Sequence, residues 1–253
     1  MKLLDHLLAA LPDGEIIDVR IGLHWTAVVV ESGGAIRCGL ASTLSGGPEH
    51  RSAPDVPQAG NLATLSGREL ASLAHLERPT LSSLGIAALN ALLPRQPETW
   101  IDENAETILE RQGHGKRVAL VGSFPFVHRL RQQVGELLVL EQSPGPGELP
   151  SQAASEVLPD ADVVAITGMT IVNHTLEELL HLCSPQAFVM VLGPSTPLSR
   201  LLFGYGIDLL SGSVVTAIEP VLRIITQGGS FRQMHHAGVR LVSISNPGSR
   251  LQT

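Results

Sequence analysis

From Lys116 onward, short apolar runs that do not alternate with polar residues recur between helical patterns. They fall at 117–121 (RVALV), 137–140 (LLVL), 162–167 (DVVAIT), 187–192 (AFVMVL) and 206–210 (GIDLL), and a sixth at 238–244 (GVRLVSI) comes near the end of the sequence. A strand with one wet face alternates apolar and polar side chains, whereas an unbroken apolar run marks a strand covered on both faces, as in a parallel sheet. Helical patterns at 127–134, 175–182, 198–203 and 218–227 supply the covers. This rhythm predicts an α/β fold with an open, doubly wound, mostly parallel sheet of about six strands.

The amino-terminal part has a different texture. Runs at 15–20 (EIIDVR), 25–31 (WTAVVVE) and 35–40 (AIRCGL) predict three strands joined by tight turns, with Ser32, Gly33 and Gly34 at the second turn. The opening MKLLDHLLAALPDGE predicts an amphipathic helix ending at Pro12, Asp13 and Gly14. Asp5 and His6 interrupt its apolar run and no small-residue cleavage site follows, which argues against a secretory leader. Further helices are predicted at 66–76, where Ser66 and Glu69 have the capping-box spacing, and at 82–93, which stops before Pro94. Residues 41–61 carry Ser, Gly and Pro without a period and predict a long loop. Pro94, Pro97 and the Gly113-His114-Gly115 turn put the boundary between two units within 94–116, giving a small α+β domain over 1–108 and an α/β domain over 109–253.

Of the 253 residues, 43% are hydrophobic and 16% charged, which excludes intrinsic disorder. Aromatic side chains are scarce, with five Phe, two Trp and one Tyr, so the core must be aliphatic. A net charge of −7 with scattered basic residues argues against a nucleic-acid or anionic-membrane partner. No window approaches the roughly 18 apolar residues of a membrane span, and a soluble, cytoplasmic chain is expected. Cys38 and Cys183 lie far apart without a CxxC partner, which predicts two free thiols and neither a disulfide framework nor a zinc knuckle. A homodimer is expected on base rate alone.

Ligands of open α/β sheets bind beyond the carboxyl ends of the strands. After the first strand of the sheet come Gly122, Ser123, Phe124 and Pro125, whose single glycine fails the GxGxxG fingerprint of dinucleotide sites. Glu141 ends the second strand at the spacing where such sites place an acid for ribose hydroxyls. Thr167 and Gly168 follow the third, with Asn173 and His174 as the polar side chains reaching for a ligand and Thr175 as a helix cap with Glu178 at the capping-box position. Gly193, Pro194, Ser195 and Thr196 follow the fourth, in a loop stiffened by Pro194 and Pro197. Ser211, Gly212 and Ser213 extend this rim of small and hydroxylated residues, which suits a polar, oxygen-rich ligand. Phe124, Phe126 and Trp25 are candidates for its walls. P-loop, HExxH and GxSxG motifs are absent. His174 and His181, seven apart, are too distant to chelate one ion by spacing alone, and His235-His236, placed on a loop, is a modest metal candidate.

Four segments carry a family resemblance: VGSFPFV (121–127), AITGMTIVNHTLEELL (165–180), LGPSTPLSRLLFGYGIDLLSGSVV (192–215) and GIAALNALL (85–93). They resemble a prokaryotic domain family of unknown function labelled "putative heavy-metal chelation". The resemblance implies an amino-terminal domain like that of enolase, a Rossmann-like carboxy-terminal domain and a site in the cleft between them. It also implies a heavy-metal ion or metal chelate as the bound species. Asn90 would then reach in from the first domain to join Ser123, Thr167, Asn173, Ser195 and Thr196 as hydrogen-bonding groups, with Glu141 accepting from hydroxyls. The expected function is a small-molecule binding protein or enzyme handling heavy metals or metal-chelating metabolites. Two alternatives are a transferase using S-adenosylmethionine or a nucleotide, and a non-catalytic subunit of a metal-cofactor pathway.

Overall fold

In the computed structural model, which describes residues 1–45, 55–249 and 251, the strands sort into two sheets. The amino-terminal lobe begins with α1 (Lys2–Ala9), which buries Leu3, Leu4 and Leu7 on one stripe. Strands β1 (Glu15–Ile21), β2 (Trp25–Ser32) and β3 (Ala35–Ser42) form an antiparallel sheet in chain order. Gly33 and Gly34 carry φ of 59° and 75°, the pair of positive values that a two-residue hairpin turn between β2 and β3 requires.

Helix α2 (Gly67–Ser72) opens on the expected capping box, the Ser66 hydroxyl accepting from the Glu69 amide and the Glu69 carboxylate from the Ser66 amide. Helix α3 (Pro79–Leu92) starts three residues before the predicted point, because Pro79 occupies a first-turn position where an amide would have no helical partner. It packs against β2 and β3, and its close approach is set by Gly39, where a Cβ would lie 2.2 Å from the Ala87 carbonyl oxygen.

The stretch 94–116, expected to separate the two units, contains α4 (Ala105–Gly113), capped by the Asn104 side chain on the Glu106 amide. Next come β4 (Arg117–Val121), α5 (Val127–Leu130), β5 (Glu136–Glu141), a short β6 (Leu149–Pro150) and α6 (Ala154–Val157). The chain continues through β7 (Val163–Thr167), α7 (Met169–Val172), α8 (Leu176–Leu182) and β8 (Phe188–Leu192). It ends with β9 (Leu209–Val215), α9 (Ile218–Thr226), α10 (Phe231–Gly238) and β10 (Val239–Ser245). The seven strands lie in the order β10-β9-β8-β7-β4-β5-β6, all parallel except β10, which runs antiparallel to β9. The chain steps outward from β4 to β5 and β6, then returns to the other side of β4 with β7. That reversal opens a crevice beyond the carboxyl ends of β4 and β7.

Successive side chains of each strand serve opposite faces. Ala119, Val121, Val164, Ile166, Val189 and Val191 share one core with Leu84 and Leu89 of α3, so a single apolar cluster joins the two lobes. Val118, Leu120, Val163, Ala165 and Met190 face the other way, against Ile108 and Leu109 of α4.

Several local expectations are corrected. Of the run at 206–210 only Leu209 and Leu210 are strand: Gly206 adopts a left-handed turn (φ 84°) that ends a 3₁₀ helix over Arg200–Tyr205, and β9 starts at Leu209 and runs on to Val215. Ser211, Gly212 and Ser213 therefore lie inside β9 rather than on a rim loop, with Ser211 paired to both Leu192 and Ser243. The helix expected at 127–134 stops at Leu130 and continues as turns. His235 and His236 sit on α10, not on a loop. Of the loop expected at 41–61, residues 41 and 42 belong to β3, and 46–54 lie outside the described residues. Among the described residues no helix is long and apolar enough to cross a membrane.

Candidate functional site

The crevice beyond β4, β7 and β8 is roofed by the amino-terminal lobe, and between them is a cavity of about 630 Å³. The large sheet contributes Ser123, Phe124 and Pro125 after β4, Thr167 and Gly168 after β7, and Gly193, Pro194 and Ser195 after β8. The amino-terminal lobe contributes Trp25 and Ser42, the start of α4 contributes Asp102 to Glu106, and α10 contributes Phe231 and His235. Eight of the thirteen residues singled out from the sequence thus line one cavity.

Local geometry explains why these loops are built of small residues. Gly122 has φ of 100°, and a Cβ there would stand 2.8 Å from the Thr167 methyl. Gly168 approaches the next loop so closely that its Cβ would fall 2.5 Å from Thr196 Oγ1 and 2.7 Å from the Thr196 amide nitrogen. The loop after β8 is closed by the Thr196 amide donating to the Gly193 carbonyl at 3.0 Å, and Ser213 Oγ donates to the Pro194 carbonyl at 2.8 Å from within β9. Ser195 is 1% exposed, and its hydroxyl accepts from the Ser42 amide at 2.8 Å. The Asn90 amide group donates to the carbonyls of Leu40 (2.9 Å) and Ser195 (3.1 Å). Ser195 and Asn90 are therefore first of all fasteners between the lobes.

The remaining expected residues go elsewhere. Asn90 and Thr196 line a second concavity of about 420 Å³, where Asn90 Oδ1 and Thr196 Oγ1 are buried without a hydrogen-bond partner. Gly122, Glu141 and Asn173 line a third, of about 360 Å³, which shares Ser123 and Thr167 with the large cleft. Glu141 is a clasp between strand ends: its carboxylate accepts from the Ser123 amide at 2.6 Å and from the Gln142 amide at 2.9 Å. Thr175 does not cap α8 through its side chain; its hydroxyl donates to Asn173 Oδ1 at 2.7 Å. His174 turns away from the ligand side altogether. It holds a positive φ of 65°, and its Nε2 donates to the Ala74 carbonyl at 2.7 Å, tying α7 to the amino-terminal lobe.

The acids at the cleft are neutralised from outside it. Asp102 pairs with Arg240 at 2.8 Å, Glu106 with Arg129 at 2.7 Å, and Glu103 with Arg111 at 2.5 Å. The Arg111 guanidinium holds the Glu103 carboxyl below the ordinary carboxylate range. Burial pushes the thiols of Cys38 and Cys183 up to about 12, so both are neutral and poor metal ligands near neutral pH. Among the described residues no three His, Cys, Asp or Glu side chains come together in a group that could hold a metal ion. His235 instead stacks against Phe231, ring centroids 6.2 Å apart. Sequence reasoning missed Ser42, the Asp102 to Glu106 segment, Phe231 and the wall position of His235. For the segment, the Asn104 cap ahead of Ile108 and Leu109 was an available helix-start signal.

An uncharacterized protein of Methanocaldococcus jannaschii is 28% identical over 219 residues, covering 83% of this chain and 82% of that protein. A crystal structure of a DUF364 family protein of unknown function from Desulfitobacterium hafniense superposes with a TM-score of 0.82 at 27% identity, covering 97% of this chain and 98% of that one. A second DUF364 structure of unknown function, from Pyrococcus horikoshii, shares the fold with a TM-score of 0.81 at 22% identity and the same coverage. The DUF4213 model, described as "putative heavy-metal chelation", matches residues 4–93. The DUF364 model, with the same description, matches residues 104–243, and the chain belongs to that family.

Proposed function

We propose that the chain is a small-molecule binding protein whose cleft between the lobes takes a metal chelate or a metal-chelating metabolite. The observation that carries this reading is the convergence of three strand-end loops with Trp25 and Ser42 around a cavity of about 630 Å³, a size typical of metabolite sites. The metal-related family description supports the metal connection. The lack of a three-ligand group among the described residues favours a metal that arrives inside an organic ligand over a bare ion. A transferase using S-adenosylmethionine or a nucleotide has less support, because Glu141, its expected ribose partner, already clasps the Ser123 and Gln142 amides.

The test is thermal denaturation of the full chain with free metal ions, metal chelates and phosphorylated metabolites. A chelate at about a hundredfold excess over its Kd contributes about 2.7 kcal/mol, which raises Tm by about 5–10 °C for a chain of this size. Stabilisation by bare ions alone, or by none of the three classes, overturns the reading.

A further inference from the structure

We infer that the cleft selects flat, conjugated ring ligands that are neutral or cationic, an inference that rests on the proposed chelate-binding role and narrows its ligand class. The chain has eight aromatic residues in all. Four of them, Trp25, Phe124, Phe126 and Phe231, line this one cavity. They arrive from three separate elements: β2, the loop after β4, and α10. Each of the four packs against an apolar core cluster on one side and stays partly exposed where it lines the cavity, so their placement serves the cavity as well as the core.

The rings form two ordered walls. Phe124 and Phe126 are stacked, centroids 5.1 Å apart and planes 19° from parallel. Trp25 and Phe231 lie 5.4 Å apart with planes tilted by 48°, and His235 continues that wall by stacking on Phe231 at 23°. Such surfaces recognise the face of a flat ring by offset stacking, and cations by the negative potential over each face.

Charge points the same way. The described residues lining the cavity include the carboxylates of Asp102, Glu103 and Glu106 and no Lys or Arg. Each carboxylate is paired with an arginine from outside the lining, so the edge offers an anionic ligand no lining cation of its own. A neutral heteroaromatic chelator, or the cationic complex it forms with a divalent metal, fits the ring faces, which attract flat rings and cations alike.

The chain carries its own reporter. Trp100 lies outside the cleft, so Trp100→Phe leaves Trp25 as the sole tryptophan and its fluorescence reads the cleft directly. The probes are 1,10-phenanthroline and its zinc complex, against citrate and zinc citrate. The two ring probes should quench Trp25 saturably and raise Tm. By calorimetry, Trp25→Leu and Phe124→Leu should each weaken ring binding about ten-fold, the loss of one stacking contact, while both variants melt cooperatively without ligand. If zinc citrate binds as tightly as the phenanthroline complex and Trp25→Leu leaves both unchanged, the ring inference is overturned while the chelate reading survives. If neither chelate binds, the inference falls together with the reading it rests on.

Discussion

The Ser42 amide, at the end of β3, donates to the Ser195 hydroxyl at 2.8 Å, across the seam between the two lobes. Both residues are buried, at 8% and 1% exposure. The same seam is stitched by Asn90, which reaches the carbonyls of Leu40 and Ser195 from α3. The stiff loop after β8 is thus held from the lobe opposite, and the cleft wall it forms depends on the seam. Ser195→Ala leaves the buried Ser42 amide without that acceptor, and such a loss costs about 1–3 kcal/mol. The urea midpoint should fall accordingly with an unchanged slope; an unaltered midpoint would show that the seam bond contributes nothing.

His174 makes a second tie of a different kind. Its backbone occupies the left-handed region at φ 65°, where a Cβ is unfavourable, and its ring donates to the Ala74 carbonyl. His174→Ala loses the bond and keeps the strain, whereas His174→Gly loses the bond and relieves it. The alanine variant should therefore be the less stable by about 1 kcal/mol, measured as a difference in thermal midpoint. Equal midpoints would remove the strain argument.

The two thiols set an alkaline limit. Each has an ordinary value of 9.0 and is pushed up to about 12 in the folded chain by burial. The folded state therefore holds these protons more tightly than the unfolded one. Their stabilising contribution is complete below pH 9 and is lost as pH rises from about 9 toward about 12. A double variant, Cys38→Ala with Cys183→Ala, should show a shallower fall in stability over that window than the natural chain. At pH 8 the native thiols should react with a disulfide reagent far more slowly than after unfolding; equal rates would mean that burial does not control them.

Much of this architecture is legible in the residues themselves. The run at 117–121 becomes β4 without a shift, because Lys116 and Gly122 bound an apolar segment that only a doubly covered strand accommodates. The strand-end loops follow from the same pattern, which is why Ser123, Gly168 and Ser195 are found together. β9 was misplaced because Ser211, Gly212 and Ser213 look like a turn locally. Only the neighbouring strands, with the Ser211 and Ser243 hydroxyls bonded to each other, give that polar stretch a place inside the sheet. Glu141 and His174 look like ligand groups for the same reason. Their partners, the Ser123 amide and the Ala74 carbonyl, are set by tertiary packing that no local pattern records. Phe231 and His235 reach the cleft through the position of α10, also a matter of packing alone.

Hydrogen–deuterium exchange of the full chain, with and without saturating zinc–phenanthroline, tests the location of the site most directly. Protection is predicted in peptides covering Ser123 to Phe126, Thr167 to Met169 and Gly193 to Ser195, the three loops that line the large cleft. Protection confined to Glu141, Gln142 and Ser151 to Ser155, around the neighbouring concavity, would contradict the account and move the site to the end of β5.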